Sequence, residues 1–94
     1  MVSYKLNDEA QNDIRRIYGR GLAEYGETQA DAYYDALFRR FERIAEQPYL
    51  YPSVDHIRPG YRRSVCGVDS IYYRIIDDTV EIMRIIGRQD IDQS

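Results

Sequence analysis

The sequence predicts an α+β domain with the element order β-α-α-β-β-β, a helix hairpin packed on a small, mainly antiparallel sheet. Three observations lead there. Residues 61–88 hold three short runs rich in β-branched and aromatic side chains, separated by polar or glycine-containing links. Upstream, two long stretches repeat apolar residues at helical spacing, and ahead of them a few residues alternate between apolar and polar. A chain of 94 residues, 44% hydrophobic and 31% charged, suits one soluble domain spanning residues 1–94 that folds without staples.

Val2, Tyr4 and Leu6 alternate with Ser3 and Lys5, the period of a short half-buried strand. Ala10, Ile14, Ile17, Tyr18, Leu22 and Tyr25 then fall on one face of a helix, with Asp8 and Gln11 placed as a capping pair and Gly26 as the stop. Gly19 and Gly21 either weaken this helix by about 1 kcal/mol each relative to alanine or permit close approach of a second helix. Thr28 and Asp31 are spaced to cap that second helix. Its stripe is Ala30, Tyr33 or Tyr34, Leu37, Phe41, Ile44 and Ala45, and Gln47-Pro48 ends it. Pro48 to Gly60 contains all three prolines and the only histidine, the composition of a stiff connector. The strand-like runs follow at Tyr61 to Cys66, Ser70 to Ile76 and Thr79 to Ile86, linked by Gly67 to Asp69 and by Asp77-Asp78. Two amphipathic helices joined by a tight turn can bury their stripes only by lying together on one face of such a sheet.

The formal net charge of −3 and a pI near 5.1 argue against a general nucleic-acid binder, which is normally basic. Any basic patch is therefore local. Arginine supplies 12 of the 13 basic residues, and its planar fork suits bidentate contact with carboxylate or phosphate. The lone Cys66 allows neither an intramolecular disulfide nor a cysteine-based zinc site, and a reducing cytosol is the expected setting. The N-terminus has no charged-then-apolar leader, and no apolar run approaches the roughly 20 residues of a membrane span.

Catalytic candidates are few. His56 lies in a proline-flanked loop without a nucleophile beside it, and Asp77-Asp78 reads as a solvated turn rather than a metal site. No phosphate-cradling glycine loop is present, so no cofactor and no metal are expected. The positive constellation is Arg62, Arg63, Arg74, Arg84 and Arg88, which suits recognition of a target or partner and cannot supply a base, because guanidinium stays protonated. Tyr61, Tyr72 and Tyr73 are the nearby proton carriers, and an ordinary tyrosine near pKa 10 is a poor base at neutral pH. Strict alternation puts Glu81 on the face opposite Arg84 unless a bulge re-aims it. The second helix also carries more apolar residues than one stripe needs: Tyr33, Tyr34, Leu37, Phe38 and Phe41 are expected to leave some surface as a partner groove.

Several segments resemble the ParE toxins of the RelE/ParE superfamily: Ala30 through Leu37 with Phe41 through Pro48, Gly60-Tyr61-Arg62-Arg63, Tyr72 through Asp78, and Glu81 through Ile86. The resemblance covers nearly the whole chain. It implies a RelE/ParE-like fold and the toxin half of a bacterial, cytoplasmic type II toxin–antitoxin pair, neutralised by a ParD-type antitoxin and directed at DNA gyrase without chemistry of its own. It further implies an even-numbered hetero-oligomer, since such antitoxins resemble dimeric ribbon-helix-helix DNA binders, and no direct DNA binding by the isolated toxin. Two departures separate the chain from RelE-type ribonucleases. No tyrosine follows Tyr73, and Arg84-Ile85-Ile86 leads into Gly87 where many relatives carry a histidine. A RelE-like ribosome-dependent mRNA endoribonuclease and a non-toxic antitoxin-binding remnant are the alternatives.

Overall fold

The computed structural model describes residues 3–87. The elements run β1 (Ser3–Leu6), α1 (Asp8–Tyr25), α2 (Glu27–Glu46), β2 (Arg62–Cys66), β3 (Asp69–Ile76) and β4 (Thr79–Gly87), the expected order. They form one sheet with strand order β1-β4-β3-β2, in which β1 alone runs parallel to its neighbour. The parallel pairing, Ser3↔Thr79 to Leu6↔Ile82, joins the two ends of the described chain.

Both helices lie on the sheet face that carries Ile71, Tyr73, Val80, Ile82 and Ile85. Those residues, with Leu37, Phe41 and Ile44 of α2, are fully shielded from solvent. Burial of each large apolar side chain contributes about 1.5–3 kcal/mol, which is what holds two amphipathic helices against a four-stranded sheet. Among the described residues no helix is long and apolar enough to cross a membrane.

Local chemistry explains the junctions and corrects two expected caps. Asn7, not Asp8, caps α1: its side-chain Oδ1 accepts from the Ala10 amide at 2.9 Å, while its own amide donates to Ile82 O and extends the β1–β4 ladder by one bond. Gln11 instead donates its side-chain amide to Leu6 O at 3.2 Å. A residue that ends a strand and starts a helix must satisfy both, and only Asn7 sits there. Thr28 lies inside α2, whose cap is Gly26 without a side-chain hydrogen bond. Gly26 is the single residue between the helices, at φ 89° and ψ 173°, a backbone region that is essentially glycine-only. At the far end the Asp77-Asp78 turn has both residues at positive φ (50° and 62°), the arrangement of a type I′ hairpin.

The two glycines of α1 separate on inspection. Gly21 faces Ala30, whose Cβ would lie 3.4 Å from an added methyl, so it marks the close approach of the helices. Gly19 has open space around it.

Candidate functional site

Ala10, Ile14 and Ile17 are buried against the sheet, yet the same stripe continues to Leu22 and Tyr25, which are 40% and 67% exposed. Beyond Gly87 and the Gly67-Val68 turn there is no described sheet to cover the hairpin's tip. The result is a cleft of about 810 Å³ between α1, α2 and that turn. Ile14, Ile17, Tyr33 and Leu37 line it, and Val68, 77% exposed, stands at its side.

The wall formed by the turn is built around Tyr33. Its hydroxyl donates to Asp69 Oδ2 at 2.6 Å and lies 2.8 Å from Cys66 O, pinning α2 to the β2–β3 hairpin. Burial first, then the bond to the Asp69 carboxylate, holds the Tyr33 proton well above the ordinary tyrosine range. The ring passes beneath Gly67, where an added Cβ would come within 2.6 Å of Cε1; with φ at 61°, this position requires glycine. Asp69 is 1% exposed, and its second oxygen, Oδ1, has no hydrogen-bond partner among the described residues. Cys66 is buried beside it, and burial pushes its thiol above the usual range, which keeps it unreactive.

The arginines named from sequence do not gather into one patch. Arg62 turns toward the connector, donating to Tyr51 O at 2.6 Å with its guanidinium 5.1 Å from the Tyr49 ring centroid. Arg63, across from Tyr72, has no carboxylate partner among the described residues. Arg74 pairs with Glu81 at 2.8 Å. Arg84 is gripped by Asp13 and lies 3.6 Å from Glu9. Arg88 falls outside the described residues.

Glu81 and Arg84 depart from strict alternation. The β3–β4 register shifts between Tyr72 and Tyr73, so Glu81 pairs with Arg74 and Arg84 with Tyr72, leaving Met83 as the extra residue of a bulge. Since Arg74 and Tyr72 are two apart on β3, their partners Glu81 and Arg84 come to the same side. Cross-strand pairing thus sets Arg63, Tyr72 and Arg84 in one row. Tyr73 points the other way into the core, donates to Pro48 O at 2.6 Å, and is pushed up to about 12 by desolvation. His56 is exposed in the connector. No group of three potential metal-binding side chains occurs among the described residues.

The aromatic set of α2 divides by depth. Leu37 and Phe41 are fully buried, so they belong to the core rather than to an open groove, although Leu37 also reaches the cleft floor. Phe38 is partly buried between Phe41 and Tyr34, with ring centroids 5.1 and 4.6 Å away, and Tyr34 is 39% exposed. Sequence reasoning missed the contribution of Ile14, Ile17, Val68 and Asp69 to the cleft. A valine in a hairpin turn and a tyrosine immediately before the helix-ending glycine were the available signals.

Comparison with known proteins agrees with this architecture. Residues 4–91 match the family described as the ParE toxin of the type II toxin–antitoxin system parDE. The chain is 30% identical to Toxin ParE1 of Mycobacterium tuberculosis over 93 residues, covering 97% of this chain and 95% of that one. It is 33% identical to Toxin ParE1 of Caulobacter vibrioides over 86 residues, covering 92% and 88%. In fold it is similar to the chromosomal ParDE system from P. aeruginosa, with a TM-score of 0.77 at 23% identity over 93% of this chain and 96% of that one. It is also similar to the RelBE2 toxin–antitoxin complex from Mycobacterium tuberculosis, at 0.67 and 20% over 92% and 96%. A family match across nearly the whole chain, on a helix hairpin over a β1-β4-β3-β2 sheet, places this protein in the ParE family of type II toxins.

Proposed function

We propose that the protein acts in the bacterial cytoplasm as an inhibitor of DNA gyrase through protein–protein contact, and that a ParD-type antitoxin neutralises it by occupying the cleft under the hairpin tip. The observation that carries the antitoxin site is the apolar cleft left open among the described residues, with Ile14, Ile17 and Val68 along it and Tyr33 and Tyr34 on its α2 side. Soluble proteins rarely leave a patch of this kind without a partner, and aromatic or aliphatic anchors seated in such clefts dominate binding energy. An even-numbered hetero-oligomer follows if each protomer of a dimeric antitoxin holds one toxin, with DNA binding left to the antitoxin.

A non-catalytic toxin is supported by the state of its ionisable groups. Glu81 is committed to Arg74, Asp13 to Arg84, and the Tyr73 hydroxyl is buried on a backbone carbonyl. The row Arg63, Tyr72, Arg84 is the specific feature that favours the alternative, a ribosome-dependent ribonuclease, because it could grip a phosphodiester. Purified toxin assayed side by side for gyrase supercoiling and for cleavage of ribosome-bound mRNA separates the two. Inhibited supercoiling with intact mRNA is expected. Cleavage that disappears in Arg63→Gln would replace the gyrase reading with the ribonuclease.

A further inference from the structure

Asp69 is the one buried side-chain oxygen acceptor whose bonding is incomplete among the described residues. Oδ2 receives the Tyr33 hydroxyl, whereas Oδ1 receives nothing, and the residue as a whole is 1% exposed. Its backbone pairs with Gly87 at the end of the sheet, and the residue forms part of the cleft wall. A carboxylate taken out of water is normally matched by a cation and further donors; one neutral hydroxyl does not meet that demand. Arg20, which also lines the cleft, makes no bond to it. The missing element is a cationic donor at Oδ1, on the wall of a mostly apolar cleft whose other charged lining residues are Arg20 and Glu24.

We propose that Asp69 anchors a lysine or arginine carried on the apolar segment that the antitoxin lays into the cleft, the cation pairing with Oδ1 beside the Tyr33 hydroxyl. This rests on the antitoxin reading above and adds the chemistry of what is recognised. Apolar side chains against Ile14, Ile17 and Val68 supply contact area, and the ion pair supplies selection. A segment that covers the cleft without a cation leaves the carboxylate buried and unpaired, which penalises a non-cognate antitoxin. Tyr33 is a positioning residue here, holding the carboxylate through Oδ2; Oδ1 is closed to solvent in the free toxin, so the Gly67-Val68 turn must shift for the cation to reach it.

The test uses the purified toxin and its cognate antitoxin. Affinity is measured for wild type, Asp69→Asn and Val68→Asp, and each lysine and arginine of the antitoxin's toxin-binding segment is replaced by methionine. Asp69→Asn is expected to weaken binding at least about tenfold while the free toxin melts no lower than wild type, because the variant removes an unpaired charge that only the complex neutralises. One antitoxin cation is expected to lose its effect in the Asp69→Asn background, the coupling of a direct pair. Unchanged affinity in Asp69→Asn, or no antitoxin cation coupled to it, overturns the ion pair while leaving the cleft reading intact provided Val68→Asp still weakens binding. Full affinity in Val68→Asp overturns the cleft itself. A crystal structure of the wild-type complex decides without any variant: an antitoxin nitrogen within about 3 Å of Oδ1 is expected. The toxin's own Arg88 in that place, or no cation there, refutes the proposal.

Discussion

Asp13 of α1 and Arg84 of β4, 71 residues apart, form a two-point pair, with Nε donating to Oδ2 at 2.8 Å and Nη2 to Oδ1 at 3.2 Å. The same carboxylate accepts from the Ile85 amide at 2.9 Å, and Arg16 donates to Ile85 O at 3.1 Å. β1 covers β4 only from Thr79 to Ile82. Beyond it, Asp13 supplies the acceptor and Arg16 the donor that a neighbouring strand would have offered, so α1 seals an otherwise open edge. Asp13→Ala is therefore expected to cost about 2 kcal/mol, since it leaves the buried Ile85 amide without its acceptor and takes from Arg84 the nearer of its two carboxylates. Arg84→Met should cost no more, about 1–2 kcal/mol, because Asp13 keeps Arg16 and the amide. Urea midpoints with unchanged slopes check both values, and any loss of toxicity in an Arg84 variant must be read against them.

Gly67→Ala should both destabilise the toxin and loosen the cleft wall. The added methyl meets the Tyr33 ring at 2.6 Å and the residue must hold a positive φ. A loss of about 1–3 kcal/mol is expected, with weaker antitoxin binding as Tyr33 shifts away from Asp69. Gly19→Ala, with nothing within 4 Å, should instead raise stability by about 1 kcal/mol. Equal effects at the two positions in thermal melts would contradict this assignment.

Tyr25→Ser should leave the free toxin's stability within about 0.5 kcal/mol of wild type, because the side chain is 67% exposed. Its antitoxin affinity should nevertheless fall about tenfold, as expected for an aromatic anchor at a binding surface. Isothermal titration against the cognate antitoxin, with Tyr49→Ser in the exposed connector as the control, reads the difference.

Alkaline stability should be limited by Tyr33 and Tyr73. Both have folded-state pKa values raised above the unfolded value near 10, Tyr73 to about 12 by desolvation. The folded protein therefore holds more protons than the unfolded chain above pH 10. The stabilisation is complete below that pH and is lost as pH rises toward 12. Ultraviolet titration should show two tyrosines ionising only as the protein unfolds, and Tyr73→Phe should remove part of that pH dependence.

Element order, strand positions to within a residue and family membership are all legible along the chain. These depend on signals carried by neighbours in the chain: runs of β-branched and aromatic residues at Tyr61 to Cys66, Ser70 to Ile76 and Thr79 to Ile86, the helical stripes, and the glycine between the helices. The tertiary structure alone decided that β1 lies beside β4, since no local pattern says which strand a terminal segment joins. It also decided the fate of the arginines. A bulge at Met83 reversed the expected relation of Glu81 to Arg84, and the second turn of the helix that directly follows β1 supplied the carboxylate that Arg84 grips. The cleft was illegible for the same reason: it forms where α1, α2, the Gly67-Val68 turn and the end of β4 meet in the fold, and Asp69 becomes a buried, half-paired carboxylate only when Tyr33 arrives from 36 residues away. Periodicity reports which side of an element is apolar, whereas what comes to cover that side is set by packing.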